Sequence, residues 1–315
     1  MHHRGFMEIQ SARRTFATVS RLPWLARMQV RDPDRKPKGA KRIFTKVVRL
    51  AWTLLYHRLG LSARGSIVFY THDGTTINVT VDATKALYID YASRAAHGGY
   101  ELAETLLIDA ILSRASVFYD VGANWGYFSW LAATSDAFDG RIFSFEISPS
   151  MVKELEAIRT GAGFSTVRIM PFGLSDTNGT APISDDANGH LSRIVNAGMP
   201  NSTLATVRRL DDLDIPLPDL IKIDVEDHER AVLEGAASVI KASRPVILFE
   251  CREPKSPDNM AIIEMLAKLD YVLHYISVSA DGVKLSAIDT SQPAFPAAAC
   301  NIFACPKDRL TAWLS

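Results

Sequence analysis

The segment VFYDVGANWGYF, which runs from Val117 to Phe128, places an acid and two glycines between a short apolar stretch and the start of a helical pattern. Asp120 ends the apolar stretch, and Gly122 and Gly126 bracket the turn that follows. Glycine lets the backbone approach a ligand because no Cβ intervenes, and ligands of open parallel sheets bind beyond the carboxyl ends of the strands. The pattern therefore predicts a ligand-binding turn, although one Asp and two Gly can also serve only to shape a tight turn.

The acidic residues of this region indicate what kind of ligand the turn would hold. Glu146 ends the next predicted strand, where a carboxylate can accept hydrogen bonds from both hydroxyls of a ribose. A pyrophosphate-binding turn needs the spacing G-x-G-x-x-G, whereas Asp120 here begins a D-x-G-x-x-x-G pattern. Asp120 would repel a pyrophosphate and attract a cationic amino-acid group. The pattern favours S-adenosylmethionine (SAM), which carries an α-ammonium and a sulfonium but no phosphate.

Three polar side chains with a period of two, Asp224, Glu226 and His228, follow the apolar stretch that begins at Leu220. If the acceptor of a methyl group is an alcohol, a base must remove its proton during the attack, and any one of the three could be that base. The alternative is that His228 only begins a helix and that Glu226 caps it. Acids could also hold a Mg²⁺ here, but no spacing is diagnostic, so we predict no metal.

Two blocks of the sequence resemble a known family. The turn resembles the motif of class I, seven-stranded methyltransferases, and is more similar still to that of the FkbM family, D-x-G-A-N-x-G-x-F/Y. The positions that carry this resemblance are Asp120, Gly122, Ala123, Asn124, Gly126 and Tyr127. The segment LIKIDVEDHE resembles the family's K-I-D-V-E-G-x-E, with Asp227 where glycine is usual. Two weaker matches are Tyr100-Glu101 and Leu174-Ser175-Asp176.

The resemblance implies an enzyme that transfers a methyl group from SAM to a hydroxyl oxygen of a small-molecule, sugar or glycolipid acceptor. It also implies which residues bind the cofactor, and these are Asp120, Gly122, Ala123, Asn124, Gly126, Tyr127, Glu146, Ser175 and Asp176. Asp224, Glu226 and His228 remain the candidates for catalysis. Two alternatives stay open: a non-catalytic scaffold with a SAM-binding fold, and an NAD-linked oxidoreductase.

The elements around these motifs alternate between short apolar strands and helical patterns, which is typical of a doubly wound α/β sheet. We predict a Rossmann-like, mostly parallel seven-stranded sheet with an antiparallel C-terminal edge ribbon. The predicted strands are Val117–Val121, Arg141–Glu146, Thr166–Met170, Leu220–Asp224, Pro245–Glu250, Tyr271–Ser277 and Asn301–Cys305. The predicted helices are Tyr100–Leu112, Tyr127–Ser135, Pro149–Thr160, His228–Ala242 and Asn259–Leu269. A hairpin is predicted over residues 66–82.

The charge of the chain is unevenly distributed. The 315 residues contain 35 Lys+Arg and 35 Asp+Glu, yet residues 1–64 carry 15 basic and 3 acidic residues. We therefore divide the chain into a flexible basic tail (1–38), a basic amphipathic helix (39–64) and a methyltransferase domain (65–315). Within that domain, 65–115 form a hairpin and a helix and 116–315 form the Rossmann-like core. This core is acidic, which argues against a nucleic acid as partner.

The basic helix has two possible roles. Ile43, Val47, Leu50 and Leu54 recur on one helical face, and Arg42, Lys46 and Arg49 recur on another. Such a helix can dock on an anionic membrane through residues 41–58, or its apolar stripe can pack against its own domain or a partner subunit, which we expect more strongly. The 3 Cys lack C-x-x-C spacing, and no export signal is evident. We predict a cytoplasmic protein that can also bind peripherally to the inner face of a membrane; the sequence leaves its oligomeric state open.

Overall fold

The structure of the chain is a computed structural model. It describes residues 6–10, 16–22, 24–30, 38–59, 61, 63–71, 74–96, 99–184, 192–196, 198–200, 202–251, 256–279, 282–291 and 300–314.

Sixteen strands form within the described residues. They are β1 (Phe6–Gln10), β2 (Ala17–Arg21), β3 (Arg64–Tyr70), β4 (Thr76–Asp82), β5 (Val117–Val121), β6 (Arg141–Phe145), β7 (Val167–Met170), β8 (Gly173–Leu174), β9 (Gly179–Ser184), β10 (Arg193–Ile194), β11 (Ser202–Arg208), β12 (Leu220–Ile223), β13 (Val246–Cys251), β14 (Tyr271–Val278), β15 (Gly282–Ala287) and β16 (Cys300–Pro306).

The described helices surround these strands. They are α1 (Trp24–Arg27), α2 (Ala40–Trp52), α3 (Ala86–Ala96), α4 (Leu102–Ile111), α5 (Tyr127–Ala133), α6 (Pro149–Ala162), α7 (Glu229–Glu234), α8 (Ala237–Ser243), α9 (Pro257–Lys268) and α10 (Leu310–Leu314). A π-helix, Thr53–Arg58, continues α2, and short 3₁₀ turns cover Leu112–Arg114 and Leu210–Asp212. None of the described helices is long and apolar enough to cross a bilayer.

The main sheet has nine described strands in the order β1-β15-β14-β16-β13-β12-β5-β6-β7. Pairing is parallel from β7 through β6, β5 and β12 to β13, and antiparallel from β13 through β16, β14 and β15 to β1. All seven predicted strands lie in this sheet. The α/β class is therefore confirmed, but the sheet is a mixed one with two more strands than predicted.

The C-terminal ribbon differs from the prediction in its position. β14 and β16 pair antiparallel, as expected. The ribbon does not form the edge of the sheet, because β15 and β1 extend the sheet beyond β14. β1 pairs with β15 across most of the chain length, from Phe6 with Ser286 to Gln10 with Gly282. Because the two strands are far apart in the sequence, no local sequence pattern predicts that they pair.

Apolar side chains on alternate positions cover both faces of the sheet, as a doubly wound fold requires. Phe118 of β5 and Leu220 of β12 belong to one buried cluster, which also includes residues of α4, α5 and α6. Tyr119 of β5 and Ile221 of β12 belong to a second cluster, which includes residues of α7, α8 and α9. The strands are therefore buried on both sides, and only their ends remain for a site.

The N-terminal region differs from the expectation of a flexible tail over residues 1–38. Its described residues form β1, β2 and α1, and β2 pairs with β3 of the predicted hairpin, whose strands β3 and β4 are observed. Phe16 and Ala17 are buried in the core, and the hydroxyl of Tyr91 donates a hydrogen bond to the Ala17 carbonyl oxygen (2.6 Å). These residues are thus part of the folded domain.

The predicted helix His228–Ala242 is divided into α7 and α8. The carboxylate of Asp211 accepts hydrogen bonds from the backbone N–H of Ser238 and Val239 (3.0 Å each) and so caps a new helix start. These bonds lower the pKa of Asp211 although partial burial opposes them. A Cβ on Gly235, between the two helices, would lie 1.9 Å from the carbonyl oxygen of Ser175. This close contact brings the loop after β8 against α7.

Candidate active site

A cleft lies at the carboxyl ends of β5, β6 and β12 and has an empty volume of about 1060 Å³, part of which is open to solvent. It is the place where ligands bind in open α/β sheets. Its wall includes all three predicted catalytic residues and six of the nine predicted cofactor residues. The six are Asp120, Gly122, Ala123, Asn124, Tyr127 and Glu146.

Glu146 is fixed to the turn that follows β5. One carboxylate oxygen accepts a hydrogen bond from the backbone N–H of Asn124, and the other accepts one from the backbone N–H of Ser148 (2.7 Å each). Burial raises the pKa of Glu146 to about 7, although these backbone donors oppose the shift. The strand end and the turn thereby form one rigid wall of the cleft.

Asp120 connects β5 to the first turn of α5. Its Oδ2 accepts hydrogen bonds from the backbone N–H (3.0 Å) and the hydroxyl (2.6 Å) of Ser129. Burial raises the pKa of Asp120, and the bonds to Ser129 oppose that shift. Asp120 therefore stabilises the start of α5 as well as lining the cleft.

Gly122 has a packing role that its sequence motif did not reveal. It adopts a φ of +79°, and a Cβ there would lie 1.9 Å from the carbonyl oxygen of Asp224. The backbone N–H of Asp224 in turn donates to the Val121 carbonyl oxygen (2.9 Å). Glycine at this position lets the turn after β5 lie directly against the loop after β12, so the two sequence blocks meet in the fold.

The two remaining motif positions, Gly126 and Tyr127, pack against neighbouring aromatic side chains. Gly126, at a φ of +89°, precedes α5 and packs against Trp130. The ring of Tyr127 is buried among aromatic side chains, and its hydroxyl forms a hydrogen bond with the hydroxyl of Thr105 (2.9 Å) and donates one to the Tyr100 carbonyl oxygen (3.2 Å). The lining of the cleft includes the Tyr127 ring but not Gly126.

A buried ammonium group lies on the opposite wall of the cleft. Lys222, 2% exposed, contacts Asp224 (Nζ to Oδ2, 2.9 Å) and Glu101 (Nζ to Oε2, 3.9 Å). Its Nζ also lies 4.7 Å from the centre of the Phe128 ring, a cation–π arrangement. Burial lowers the pKa of Lys222, but Asp224 and Glu101 outweigh it and the net pKa is raised. Lys222 and Asp224 share one face of the strand, as their spacing predicts.

Glu101 is the main residue of the cleft that was not predicted as a site residue. It precedes α4 with a φ of +41° and lines the cleft. Burial raises its pKa to about 8; Lys222 opposes the shift and Asp224 adds to it. In the sequence, Glu101 was indicated only by the weak Tyr100-Glu101 match. No local sequence pattern shows that a residue before α4 contacts a strand more than a hundred positions later.

His228 is linked through Ser175 to Asp176, and Ser175 and Asp176 are two of the three predicted cofactor residues that lie outside the cleft lining. The hydroxyl of Ser175 donates to Oδ1 of Asp176 (3.0 Å) and lies 3.0 Å from Nε2 of His228. Since that hydroxyl has one hydrogen, Nε2–H of His228 donates to the Ser175 oxygen, which leaves Nδ1 as the basic nitrogen. Burial lowers the pKa of His228, against the opposing charge of Asp176, so the ring is neutral at pH 7.

The loop between Asp224 and His228 has an unusual backbone. Glu226 and Asp227 both adopt positive φ angles, +56° and +73°. A non-glycine residue in the left-handed region costs about 1–2 kcal/mol. The departure from the family's glycine at position 227 therefore leaves an exposed aspartate in a conformation that favours glycine.

We expect Asp227→Gly to raise the free energy of unfolding by about 0.5–1 kcal/mol, because relief of the left-handed strain exceeds the added entropy of the unfolded chain. Urea denaturation measures the change. The matched control is Asp139→Gly, which replaces an exposed aspartate that is not among the positive-φ residues and should lower stability. If Asp227→Gly lowers the free energy of unfolding as much as the control does, the backbone at Asp227 is not strained.

The chain is similar to known proteins over its central region. Residues 120–273 match the family described as "Methyltransferase FkbM domain". Hexuronic acid methyltransferase AglP of Haloferax volcanii is 28% identical over 158 residues, which are 49% of this chain and 63% of that protein. The chain thus spans less than two thirds of the length of this relative.

The similarity to solved structures is low in both sequence identity and TM-score. The FkbM methyltransferase from Methylobacillus flagellatus is 17% identical, with a TM-score of 0.40 and coverage of 55% of this chain and 43% of that one. The O-methyltransferase TomG from Streptomyces achromogenes, solved with SAM, is 19% identical, with a TM-score of 0.40 and coverage of 71% and 86%. Residues 120–273, just under half of the chain, therefore match the FkbM methyltransferase domain, and the two sequence blocks that resemble this family meet in the cleft.

Proposed function

We propose that the chain transfers the methyl group of SAM to a hydroxyl oxygen of a small-molecule or carbohydrate acceptor. The observation that carries the proposal is the cleft itself, in which the two family blocks lie in contact and present Glu146 on one wall and Glu101 and Asp224 on another. SAM is the cofactor that the match to the FkbM methyltransferase domain implies.

The residues of the cleft fit SAM by charge. Acidic side chains outnumber the buried ammonium of Lys222 on its wall, since Glu101, Asp120 and Asp224 all lie around it. Such a wall suits the α-ammonium and sulfonium of SAM, while Glu146 stands at the strand end that accepts ribose hydroxyls in related sheets. SAM supplies the activated methyl carbon, and the chain has only to orient the acceptor and take up its proton.

His228 is the residue we assign as the base. Its neutral ring lines the cleft, and Ser175 holds Nε2 so that Nδ1 can accept the proton of the acceptor hydroxyl. Asp224 is less suited because its carboxylate is engaged by Lys222. Asp176 and Ser175 then act as positioning residues for His228, a different role from the cofactor contacts that the sequence suggested.

The acceptor we propose is a sugar, and an acidic sugar in particular. The relative from Haloferax volcanii is named for a hexuronic acid. Arg193 of β10 is an exposed cation at the wall of this cleft, and arginine binds carboxylates in a bidentate manner. Incubation of the chain and SAM with neutral hexoses and with hexuronic acids, followed by mass spectrometry, tests this choice. A mass increase of one CH₂ on hexuronic acids supports it, whereas methylation of neutral hexoses alone would exclude it.

We expect SAM binding near pH 7 to release up to about one proton and to strengthen as the pH rises towards 8. The reason is that the pKa of Glu101 is about 8 without SAM and falls when a cation binds beside it. Calorimetry in two buffers with different ionisation enthalpies measures the release. Glu101→Gln should reduce it, and the remainder would come from Glu146, whose pKa of about 7 also falls when ribose hydroxyls donate to it.

The matched control for Glu101→Gln is Glu156→Gln, which removes an exposed carboxylate paired with Arg159 (2.9 Å) and should leave both affinity and proton release unchanged. SAM binding without any proton release would overturn the role of Glu101 and leave the proposed function intact. Absence of binding of both SAM and its demethylated product below millimolar concentration would overturn the function itself.

The cytoplasmic location stays a prediction. Cys251 and Cys305 are buried in the described structure, and burial raises the pKa of the Cys305 thiol to about 12. Such thiols are unreactive packing groups and are compatible with a reducing compartment.

A further inference from the structure

We propose that the outer face of α2 and the π-helix that follows it docks on a bilayer that contains anionic lipids. We define the docking face as Ile43, Phe44, Val47, Leu50 and Leu54. All five side chains are exposed, from 49% for Leu54 to 71% for Leu50. Within the described residues the chain's own domain leaves this stripe uncovered, whereas our stronger expectation was that it packs on its own domain or a partner subunit.

The helix is nevertheless held in place by its other side. Val48 and Trp52 are buried in the main core, with 5% and 3% exposure. The ring of Trp52 also contacts that of Tyr56, with centroids 4.4 Å apart. At 100° per residue these two positions point well away from Val47 and Leu50. The docking face is therefore presented outward by a helix whose inner face is anchored, and it is not the misplaced inner face of a core helix.

The charge around the docking face identifies the partner. Residues 38–61 contain no acidic residue, and their basic residues are Lys38, Lys41, Arg42, Lys46, Arg49 and Arg58. All six are exposed. On the helical wheel Arg42, Lys46 and Arg49 flank the docking face on one side. An apolar stripe bordered by cations matches the boundary between the acyl chains and the anionic headgroups of a bilayer.

The same charge disfavours a second copy of the chain as the partner. A symmetric contact would bring two identical cationic helices together with no acid on either to compensate them. Free phosphate would pair with the cations but would leave the apolar side chains exposed. A bilayer with anionic lipids satisfies both features at once, which is why we assign the face to it.

Flotation of the full-length chain with lipid vesicles tests the proposal. We expect binding to vesicles in which about a third of the lipid is phosphatidylglycerol, and at least about tenfold weaker partition to phosphatidylcholine alone. Raising NaCl from about 0.1 M to about 1 M should weaken binding, because the Debye length falls from about 10 Å to about 3 Å. Millimolar inorganic phosphate should not release the chain.

Two double variants separate the apolar and cationic contributions. Val47→Ser with Leu50→Ser, and Lys46→Glu with Arg49→Glu, should each reduce partition by at least about tenfold. Their controls are Leu217→Ser and Lys241→Glu, which change an exposed apolar and an exposed basic residue elsewhere. Circular dichroism and thermal unfolding must match the wild type for each variant.

Two outcomes would overturn the proposal. The first is a chain that fails to float with either vesicle type while its unfolding transition is intact. The second is a dimer in sedimentation experiments that Val47→Ser with Leu50→Ser dissociates, since the docking face would then be a contact between copies. If a double variant unfolds, the single changes Leu50→Ser and Lys46→Glu decide, because both side chains are exposed and their loss leaves the anchored face intact.

Discussion

Replacing His228 with alanine is expected to lower the turnover of methyl transfer by about 10²–10⁴-fold, the usual contribution of a general base. The affinity for SAM should change little, because His228 lies in the loop after β12 and not on the wall formed by Glu146. Turnover with a saturating acceptor, together with calorimetry of SAM binding, measures the two effects separately. His228→Gln, whose amide can still donate a hydrogen bond to Ser175, should be as inactive as the alanine variant.

The pH profile distinguishes a base from a merely structural histidine. Burial lowers the pKa of His228 below its ordinary value of 6.5, so turnover should rise with pH up to that lowered pKa and be flat around pH 7. Ser175→Ala removes the hydrogen bond to Nε2 and should lower turnover by about tenfold and shift the profile, with KM nearly unchanged. Full activity of His228→Ala would remove the histidine from the mechanism and leave Glu226 and Asp224 as candidates.

The part of the site that the sequence predicted is the part encoded locally. Asp120 and Gly122 lie in one short turn, and the spacing of Lys222 and Asp224 places both on one strand face. A parallel sheet then brings these two segments together, since Lys222 is the direct neighbour of Asp120 in the pairing of β12 with β5. The alternation of strands and helices therefore predicted the α/β class, but not the two additional strands of the mixed sheet.

The features that could not be predicted depend on long-range contacts. Glu101 comes from the residue before α4 and meets Lys222 only in the folded chain. β1 joins the sheet edge through β15, near the other end of the chain. Ser175 meets His228 because α7 packs against the loop after β8 at Gly235. In each case the residue type fits its local segment and does not indicate a site. Its role follows only from the residue that it contacts in the folded chain.

The amphipathic helix shows a limit of periodicity. The pattern of Ile43, Val47, Leu50 and Leu54 correctly indicates a helix with an apolar face, but it says nothing about what covers that face. The domain uses Val48 and Trp52, which lie four residues apart on another face of the helix, for its own packing. A helix can therefore carry two apolar faces with different partners, and only the structure distinguishes them.

Lys222→Met is expected to lower the free energy of unfolding by about 3–5 kcal/mol at pH 8, as removal of one partner from a buried ion pair usually does. Lys222 is almost fully buried and compensates Asp224 and Glu101, so its loss removes the counter-charge that it supplies to both carboxylates. The methionine preserves most of the side-chain volume, and packing should change little. Urea denaturation at several pH values measures the effect. Lys268→Met is the control, because Lys268 is exposed and pairs only at the surface with Glu264, and its loss should cost less than about 0.5 kcal/mol.

The pH dependence of this loss follows from Glu101. Its pKa in the folded wild type, about 8, already exceeds the ordinary 4.5, and Lys222 holds it down. Without Lys222 the pKa of Glu101 in the folded chain rises further. At pH 8 the ionisation of Glu101 therefore destabilises the native state of the variant more than that of the wild type. As the pH falls towards 4.5, Glu101 is protonated in both the folded and the unfolded chain, and the difference between variant and wild type should shrink. Adding Glu101→Gln to Lys222→Met should restore part of the stability at pH 8. A deficit that grew on acidification, or that Glu101→Gln did not relieve, would show that the charge pair of Lys222 with Glu101 is not what stabilises the fold.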